Sequence, residues 1–574
     1  MRKFTIMVLA LSVLCTQYAL SQSVGISDVL ITPDQSSILE LRSTNKGLLI
    51  PRVSLTQTTS NAPVGPAVAT SLLVYNTATI NDVTPGFYYW DGSRWVPVGS
   101  GASATQDDDW LPHGAANTDL IYHEGHVYTQ RINNVAVVGP HAFATIQDAI
   151  NSLPATGGKV LVTEGTWNIT AQITFPYNNI TVEGVGKSTI INANGNHAIF
   201  YVSARDNIEI KNMTIQYPSY DAGSTARNAI YLYRAGSCVI TNCRILNAQR
   251  GVFLAGTGTK FSEFNIIHNN YIENCRYGVS TSAGITPTNY YVRYNSVNNN
   301  RIFNSASYAV CFAGSSYANT ISDNEIDIAV QGIAIFHSDS IIISNNRILR
   351  VGFATSPGVG VCVQGSSQCF ITDNYISNIT GTVSNASGIR VIQQNSVWCY
   401  NTTITGNQIH MDGTMTGIRV TSPIGAVISN NYIKNTSASN AYPAIMVYAS
   451  PNTGSPGLHH PTSVVLTNNV VVASTTATSD TKVYSAILLS GNNGDTDNGP
   501  INCTVIGNSV SGYRRGITVS DGDRLIIQGN VSTSSQNGLY FNDNTNSVII
   551  GNNGGGLGVV TTGGAGNEIH FNIP

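Results

Sequence analysis

From residue 242 onward, hydrophobic and polar positions recur in one order. A Gly precedes a β-branched run that alternates apolar and polar. A polar turn follows, and the unit closes on Asn-x-Ile or a near variant. The Asn steps stand at Asn270, Asn300, Asn324, Asn346, Asn374, Asn407, Asn431, Asn469, Asn508, Asn530 and Asn552, with a shortest interval of 22 residues. The Gly steps stand at Gly251, Gly278, Gly332, Gly360, Gly388, Gly417, Gly516 and Gly538, and Ala309, Ala444 and Ala486 take the same place elsewhere. The residue after each step is predicted to point inward, giving the column Val252, Val279, Val310, Ile333, Val361, Ile389, Ile418, Ile445, Ile487, Ile517 and Leu539. One such strand cannot bury a face alone, but stacked coils turn the column into a continuous core. Each Asn is predicted to take the left-handed conformation at a turn and to hydrogen-bond its neighbour one coil away, a structural role rather than a glycosylation site.

The same register puts a second column outside: Phe253, Ser280, Cys311, Ala334, Cys362, Arg390, Arg419, Met446, Leu488, Thr518 and Tyr540. Arg390 and Arg419 then sit on consecutive coils, about 5 Å apart at strand spacing. Two like charges so close require an anion between them. His410 and Asp412 lie between the arginines in sequence. The group reads in two ways. It can serve an acidic sugar, with Arg390 and Arg419 on the carboxylate and His410 and Asp412 as catalytic proton-transfer groups. Alternatively, Asp412 and its neighbours neutralise the arginines as a surface salt bridge. A further outward column follows the Asn: Arg244, Tyr271, Arg301, Glu325, Arg347, Tyr375, Gln408 and Tyr432. Its Arg301-Glu325-Arg347 stretch is predicted to be cross-strand charge pairing. Tyr375 and Tyr432 are candidates for stacking on sugar rings, or for stiffening the coil stack. His337 with Asp339, and Asp521 with Asp523 and Arg524, are further polar spots.

Ahead of the repeat, Phe143-Ala144-Thr145-Ile146-Gln147-Asp148-Ala149-Ile150 reads as a short amphipathic helix. Gly157-Gly158, Val160-Leu161-Val162, Gly165-Thr166-Trp167 and Ile180-Thr181-Val182-Glu183-Gly184-Val185-Gly186 follow it. This sequence and the repeat resemble the capping helix and coils of the pectin-lyase-like superfamily of parallel β-helices. A helix over the open end hides apolar surface and unpaired strand edges. The resemblance spans residues 140–574 and implies an all-β fold: a right-handed single-stranded parallel β-helix, a solenoid of about a dozen coils. It constrains function weakly, since the fold hosts lyases, hydrolases, epimerases, tail spikes and adhesins. The polygalacturonase-like set would need Asn-Thr-Asp, Asp-Asp and Gly-His-Gly on successive coils. The Asn-Thr-Asp at Asn117-Thr118-Asp119 precedes the helix, and Gly-His-Gly does not occur. Neither the aspartate-rich calcium site of pectate lyases nor a carboxylate pair on adjacent coils is evident.

Residues 22–99 form a separate small β module. It carries Lys46-Gly47-Leu48-Leu49-Ile50-Pro51-Arg52 and Leu73-Val74-Tyr75-Asn76, then Pro85-Gly86-Phe87-Tyr88-Tyr89-Trp90-Asp91-Gly92-Ser93-Arg94-Trp95. Asp91-Gly92 between aromatic runs signals a hairpin. These motifs resemble N-terminal segments of surface and fibre-like proteins of the Bacteroidetes, which implies an exposed fibre or stalk element and a homotrimer. The alternative is a β domain that only spaces the body from the cell. Residues 100–139 read as a linker with a short strand unit. Its Asp107-Asp108-Asp109 run is a solvated loop or a weak calcium site.

Composition narrows the partners. Charged residues are 10% of the chain and net charge is −3, which leaves no basic footprint for nucleic acid. Arg2, Lys3, the apolar stretch Ile6–Leu14 and Ala19-Leu20-Ser21 read as a signal peptide over residues 1–21. No apolar run is long enough to span a bilayer. Cys15 lies in that leader, and the other eight cysteines are predicted to pack in the coil wall rather than form a disulfide framework. No Cys/His spacing marks a metal site, and no cofactor is implied. The chain therefore reads as a secreted or cell-surface protein of a Gram-negative bacterium. Its β-helix contacts carbohydrate in the manner of an adhesin or fibre. One alternative is a polysaccharide lyase, hydrolase or epimerase acting on a uronic-acid polysaccharide, and another is a purely structural stalk.

Overall fold

The computed structural model describes residues 24–98 except 35, and 134–570 except 140–141, 282–290, 353–357, 380–385, 395–396, 413–414, 437–441, 450–459, 475–484, 492–498, 534–536 and 556–557. Between these parts it describes the strands at 111–112, 121–123, 126–128 and 131–132. The signal peptide, the aspartate run and Asn117-Thr118-Asp119 lie outside the described residues. The chain divides into two compact units, residues 1–106 and 107–574.

In the first unit, Arg52–Val53, Leu73–Asn76, Gly86–Trp90 and Trp95–Pro97 form a four-stranded sheet. The last two strands are the expected hairpin. Trp90 opposes Trp95, and the Asp91 carboxylate accepts from the backbone N–H groups of Ser93 and Arg94. Leu55, Val74, Val83, Tyr88, Trp90 and Trp95 form its core.

The second unit is a right-handed parallel β-helix. Each coil contributes one strand to each of three stacked ladders. We call them the glycine sheet (for example Ser387–Ile392), the middle sheet (Thr403–Thr405) and the asparagine sheet (Gln408–Met411). Pairing begins at Arg131–Ile132 and Val135–Val138, ahead of the expected boundary at 140. The cap helix runs Ile146–Ser152, three residues later than the sequence suggests. Thr145 fixes its start by accepting from the Asp148 N–H, while Phe143 bridges to Val138. Ile146, Ala149 and Ile150 turn into the core.

The predicted inward column is buried throughout, and its members are register partners, as in Val361↔Ile389↔Ile418↔Ile445. The Gly beside it is there for space. A Cβ on Gly360 would lie 2.6 Å from the Gly388 carbonyl oxygen and 2.7 Å from Ile376 Cγ2. All eight described cysteines are buried free thiols in the wall.

The Asn steps form one buried ladder from Asn270 to Asn552. At each rung the side-chain oxygen accepts from the backbone N–H and the amide of the preceding Asn. Asn346 accepts from Asn324 at 3.1 and 2.9 Å and donates to Asn374 at 3.0 Å. The expectation of left-handed backbone at these residues is corrected. The residue before each rung takes it, as at Asn299 (φ 53°), Asp323 (58°) and Asn345 (56°), which turns the ladder Asn inward. A second ladder, Asn265-Asn295-Asn319, runs along the preceding corner.

Asn346→Ala removes a buried amide and strands the N–H of Asn324 and the carbonyl of Ile321. A loss of roughly 2–4 kcal/mol is expected, read as a lower denaturant midpoint.

Candidate functional site

Two outward columns line the glycine sheet. One precedes the Gly and includes Arg250, Tyr277, Tyr308, Gln331, Val359, Ser387 and Thr416 in register. The other is the predicted Phe253-to-Tyr540 column. Much of it is covered: Ser280, Cys311, Ala334, Cys362 and Thr518 are fully buried. Cys311, Ala313, Ala334 and Phe336 form an apolar cluster separate from the main core, with Tyr308 packed on it. Toward the cap, half-buried Tyr201, Tyr231 and Phe253 stack with ring centroids 5.2 and 4.6 Å apart.

Arg390 sits between Cys362 and Arg419 in the ladder, as the register predicts. Its Nη2 donates to Cys362 Sγ at 3.3 Å, and its buried Nε has no partner. A thiol is a weak acceptor for a guanidinium. The Arg419 guanidinium lies 5.4 Å from the Tyr448 ring centroid and donates to the Tyr448 hydroxyl. Elsewhere on the glycine strands and just past their ends, Gln331 Oε1, Gln393 Oε1, Gln394 Oε1 and His337 Nε2 are also buried without hydrogen-bond partners. Phe336, Gln364 and Ile392 are register partners, so His337, Gly365 and Gln393 follow one another on consecutive coils at the strand ends. Gly365 makes room for the imidazole, since a Cβ there would stand 3.0 Å from His337 Nδ1. Burial holds the His337 pKa below its ordinary value, against an opposing pull from Asp339. The ring is therefore neutral at pH 7.

The other predicted site residues lie elsewhere on the coil. His410, Tyr375 and Tyr432 are on the asparagine sheet. His410 is opposite Lys434 and 5.2 Å from the Tyr375 ring, while Gln408 separates Tyr375 from Tyr432. Asp412 occupies the turn after His410. Its carboxylate accepts from the Asn378 N–H at 3.1 Å and the Thr436 hydroxyl at 2.6 Å, tying three coils together. Among the described residues, neither His410 nor Asp412 contacts Arg390. The physical reason is the path of the coil, which visits the middle and asparagine sheets between successive glycine strands. Sequence neighbours of the arginines are thus carried to other faces. The proposed Asp412 salt bridge to Arg390 is likewise not formed. The Arg301–Glu325–Arg347 ladder is formed, with N–O distances of 2.9 and 3.4 Å.

The sequence marks His337, with Asp339, only as a polar spot, and does not single out Gln331, Gln393 or Gln394. Counting five residues on from Gly332, Gly360 and Gly388 aligns His337 with Gly365 and Gln393, but nothing in the sequence shows that their polar atoms are buried. Among the described residues no group of His, Cys, Asp and Glu could hold a metal ion, and no helix is long and apolar enough to cross a membrane.

Residues 197–356 match the family model described as a right handed beta helix region, the fold seen here. Residues 25–109 match the model described as a phage tail like trimerisation region. The chain is similar to the solved Dettilon tailspike protein (15% identity over 52% of this chain and 68% of that one, TM-score 0.40). It is similar to the mannuronan C-5 epimerase A-module of Azotobacter vinelandii (14%, 74% and 94%, 0.41). It is also similar to DFA-IIIase of Arthrobacter chlorophenolicus A6 (12%, 58% and 93%, 0.39). No curated protein sequence matches the chain.

The His337 shift sets a pH dependence. Because its folded pKa is lowered, the associated stability is present above the unfolded value of about 6.5 and is lost as pH falls through the folded value. From about pH 7 to about pH 5, the denaturation midpoint of His337→Gln should therefore fall less than that of the wild type. Parallel declines in the two proteins would refute the assignment.

Proposed function

We propose that the glycine-sheet face around Arg390 and Arg419 binds an acidic carbohydrate, and that the protein acts as a trimeric surface fibre or adhesin. The observation that carries this reading is the set of buried polar atoms without partners along the glycine strands and their ends, Arg390 Nε among them. Each unpaired group costs about 1–3 kcal/mol, which a matching ligand would recover. The set is mixed. Amide oxygens of Gln331, Gln393 and Gln394 and the free imidazole nitrogen of His337 suit the hydroxyl groups of a sugar. The Arg390 guanidinium, beside Arg419, suits a carboxylate. A polyhydroxylated anion satisfies both, whereas a neutral glycan or an apolar ligand leaves the arginine unanswered.

The trimer rests on a second observation. Ile26, Leu30, Ile38 and Leu49 are 60, 103, 82 and 77% exposed, so this segment buries little of its apolar surface within one chain. They fall in the stretch that matches the trimerisation model. Two further copies would cover such a surface by a closed three-fold arrangement. The leader-like residues 1–21 support export to the outside of the cell.

A catalytic version of the same site is the second reading, and one feature favours it. His337 is a neutral imidazole on the same sheet as the arginines, two coils from Arg390, and a neutral imidazole is a general base for proton abstraction.

Binding of uronic-acid oligosaccharides, followed by calorimetry, should weaken roughly tenfold to a hundredfold in Arg390→Ala, the value of one charge-assisted hydrogen bond. Unchanged affinity would remove Arg390 from the site. Unsaturated products or new reducing ends in the same mixtures, abolished by His337→Ala, would favour turnover over binding alone. The full chain should sediment as a trimer, and Ile26→Asp with Ile38→Asp should sediment as a monomer.

A further inference from the structure

Arg515 stands apart from the pair just described. It is half-buried, on the glycine strand Arg515–Ser520, between Ser485 and Asn537 in register. Its Nε and Nη1 are both buried and have no hydrogen-bond partner. No carboxylate among the described residues pairs with it. Its described contact is with a ring, the guanidinium lying 5.6 Å from the Tyr540 centroid. Tyr540 belongs to the same outward column as Arg390 and Arg419, which places the Arg515 head group along that column, over the coil of fully buried Thr518. The Ser485 hydroxyl beside it is already joined to Thr518 Oγ1 at 2.6 Å. A guanidinium held against an aromatic ring, with two buried donors and no acceptor, is built for a planar or tetrahedral oxyanion.

The spacing gives this second group a meaning. From Arg419 the ladder steps through Met446 and Leu488 to Thr518, three coils away. At strand spacing that is ~14 Å along the helix axis. Met446 and Leu488 carry no charge, so the two cationic groups are separated by an apolar floor. We propose that Arg515 is a second anion subsite, and that the ligand is a long polyanionic glycan lying parallel to the axis. One acidic sugar contacts Arg390 and Arg419, and a later one along the same chain contacts Arg515. This rests on the acidic-carbohydrate reading above and adds to it the length and direction of the ligand. Linking two subsites through one chain raises affinity by making the second contact intramolecular, so short and long ligands must differ.

The test compares a disaccharide with an octasaccharide of the same acidic polymer, one series carboxylated and one sulfated. The proteins are the wild type, Arg515→Ala and Arg390→Ala, each full-length and checked for an unchanged melting midpoint. Arg515→Ala should bind the disaccharide as the wild type does and the octasaccharide about tenfold more weakly. Arg390→Ala should lose both. The series that shows this pattern identifies the oxyanion. If Arg515→Ala matches the wild type at both lengths while Arg390→Ala fails, the extended-chain inference is overturned and the first site stands. Equal loss at both lengths would merge Arg515 into the first site and also overturn it. If the wild type binds neither series at either length, both readings fall.

Discussion

The buried amide ladder is the interaction on which the rest of this structure depends. A parallel coil stack leaves every turn with backbone groups that face neither water nor a strand partner, and such groups are costly when unpaired. Asn answers this with one side chain that both donates and accepts. From Asn270 to Asn552 each amide closes the turn of its own coil and holds the next at a fixed height. The ladder thereby sets the register of all three sheets. Once coil height and register are fixed, the inward Val and Ile column is continuous and the outward columns are ordered.

That order makes the outer faces chemically different. The asparagine sheet carries a compensated charge ladder, with Glu325 between Arg301 and Arg347. The glycine sheet does the opposite. It buries apolar and sulfur-bearing side chains on the outside of the wall and leaves single polar atoms there, Arg390 Nε, Gln331 Oε1 and His337 Nε2 among them, without hydrogen-bond partners. Polar groups in a poorly hydrated setting interact strongly with whatever pairs them, and they are costly when nothing does. The contrast between the two faces is the physical basis on which recognition by the glycine sheet is proposed.

The two units of the chain solve different problems. The β-helix is self-sufficient, with a capped end and a core enclosed by its own coils. The N-terminal unit has a small core of its own around Trp90 and Trp95, but leaves Ile26, Leu30 and Ile38 in water. Such a surface suits contact between chains, which agrees with the match of residues 25–109 to a phage tail like trimerisation region.

The sequence by itself determined the solenoid. Period-two alternation, the Gly steps and the Asn steps set which residues face in, which face out and which are stacked, because stacking copies local periodicity from coil to coil. Arg390 beside Arg419 and the Glu325 charge ladder were legible for that reason. The identity of the left-handed residue was not, since it depends on which side of the turn buries its amide. Nor was the composition of the site. His410 and Asp412 are close to the arginines in sequence but are carried to another sheet and a turn. His337 and Gln393, 56 residues apart, are brought two coils apart in one column. Only the tertiary structure decided these matters. Whether a polar atom is buried or solvated, and whether a neighbouring coil supplies its partner, is a property of the closed coil and of no single stretch of chain.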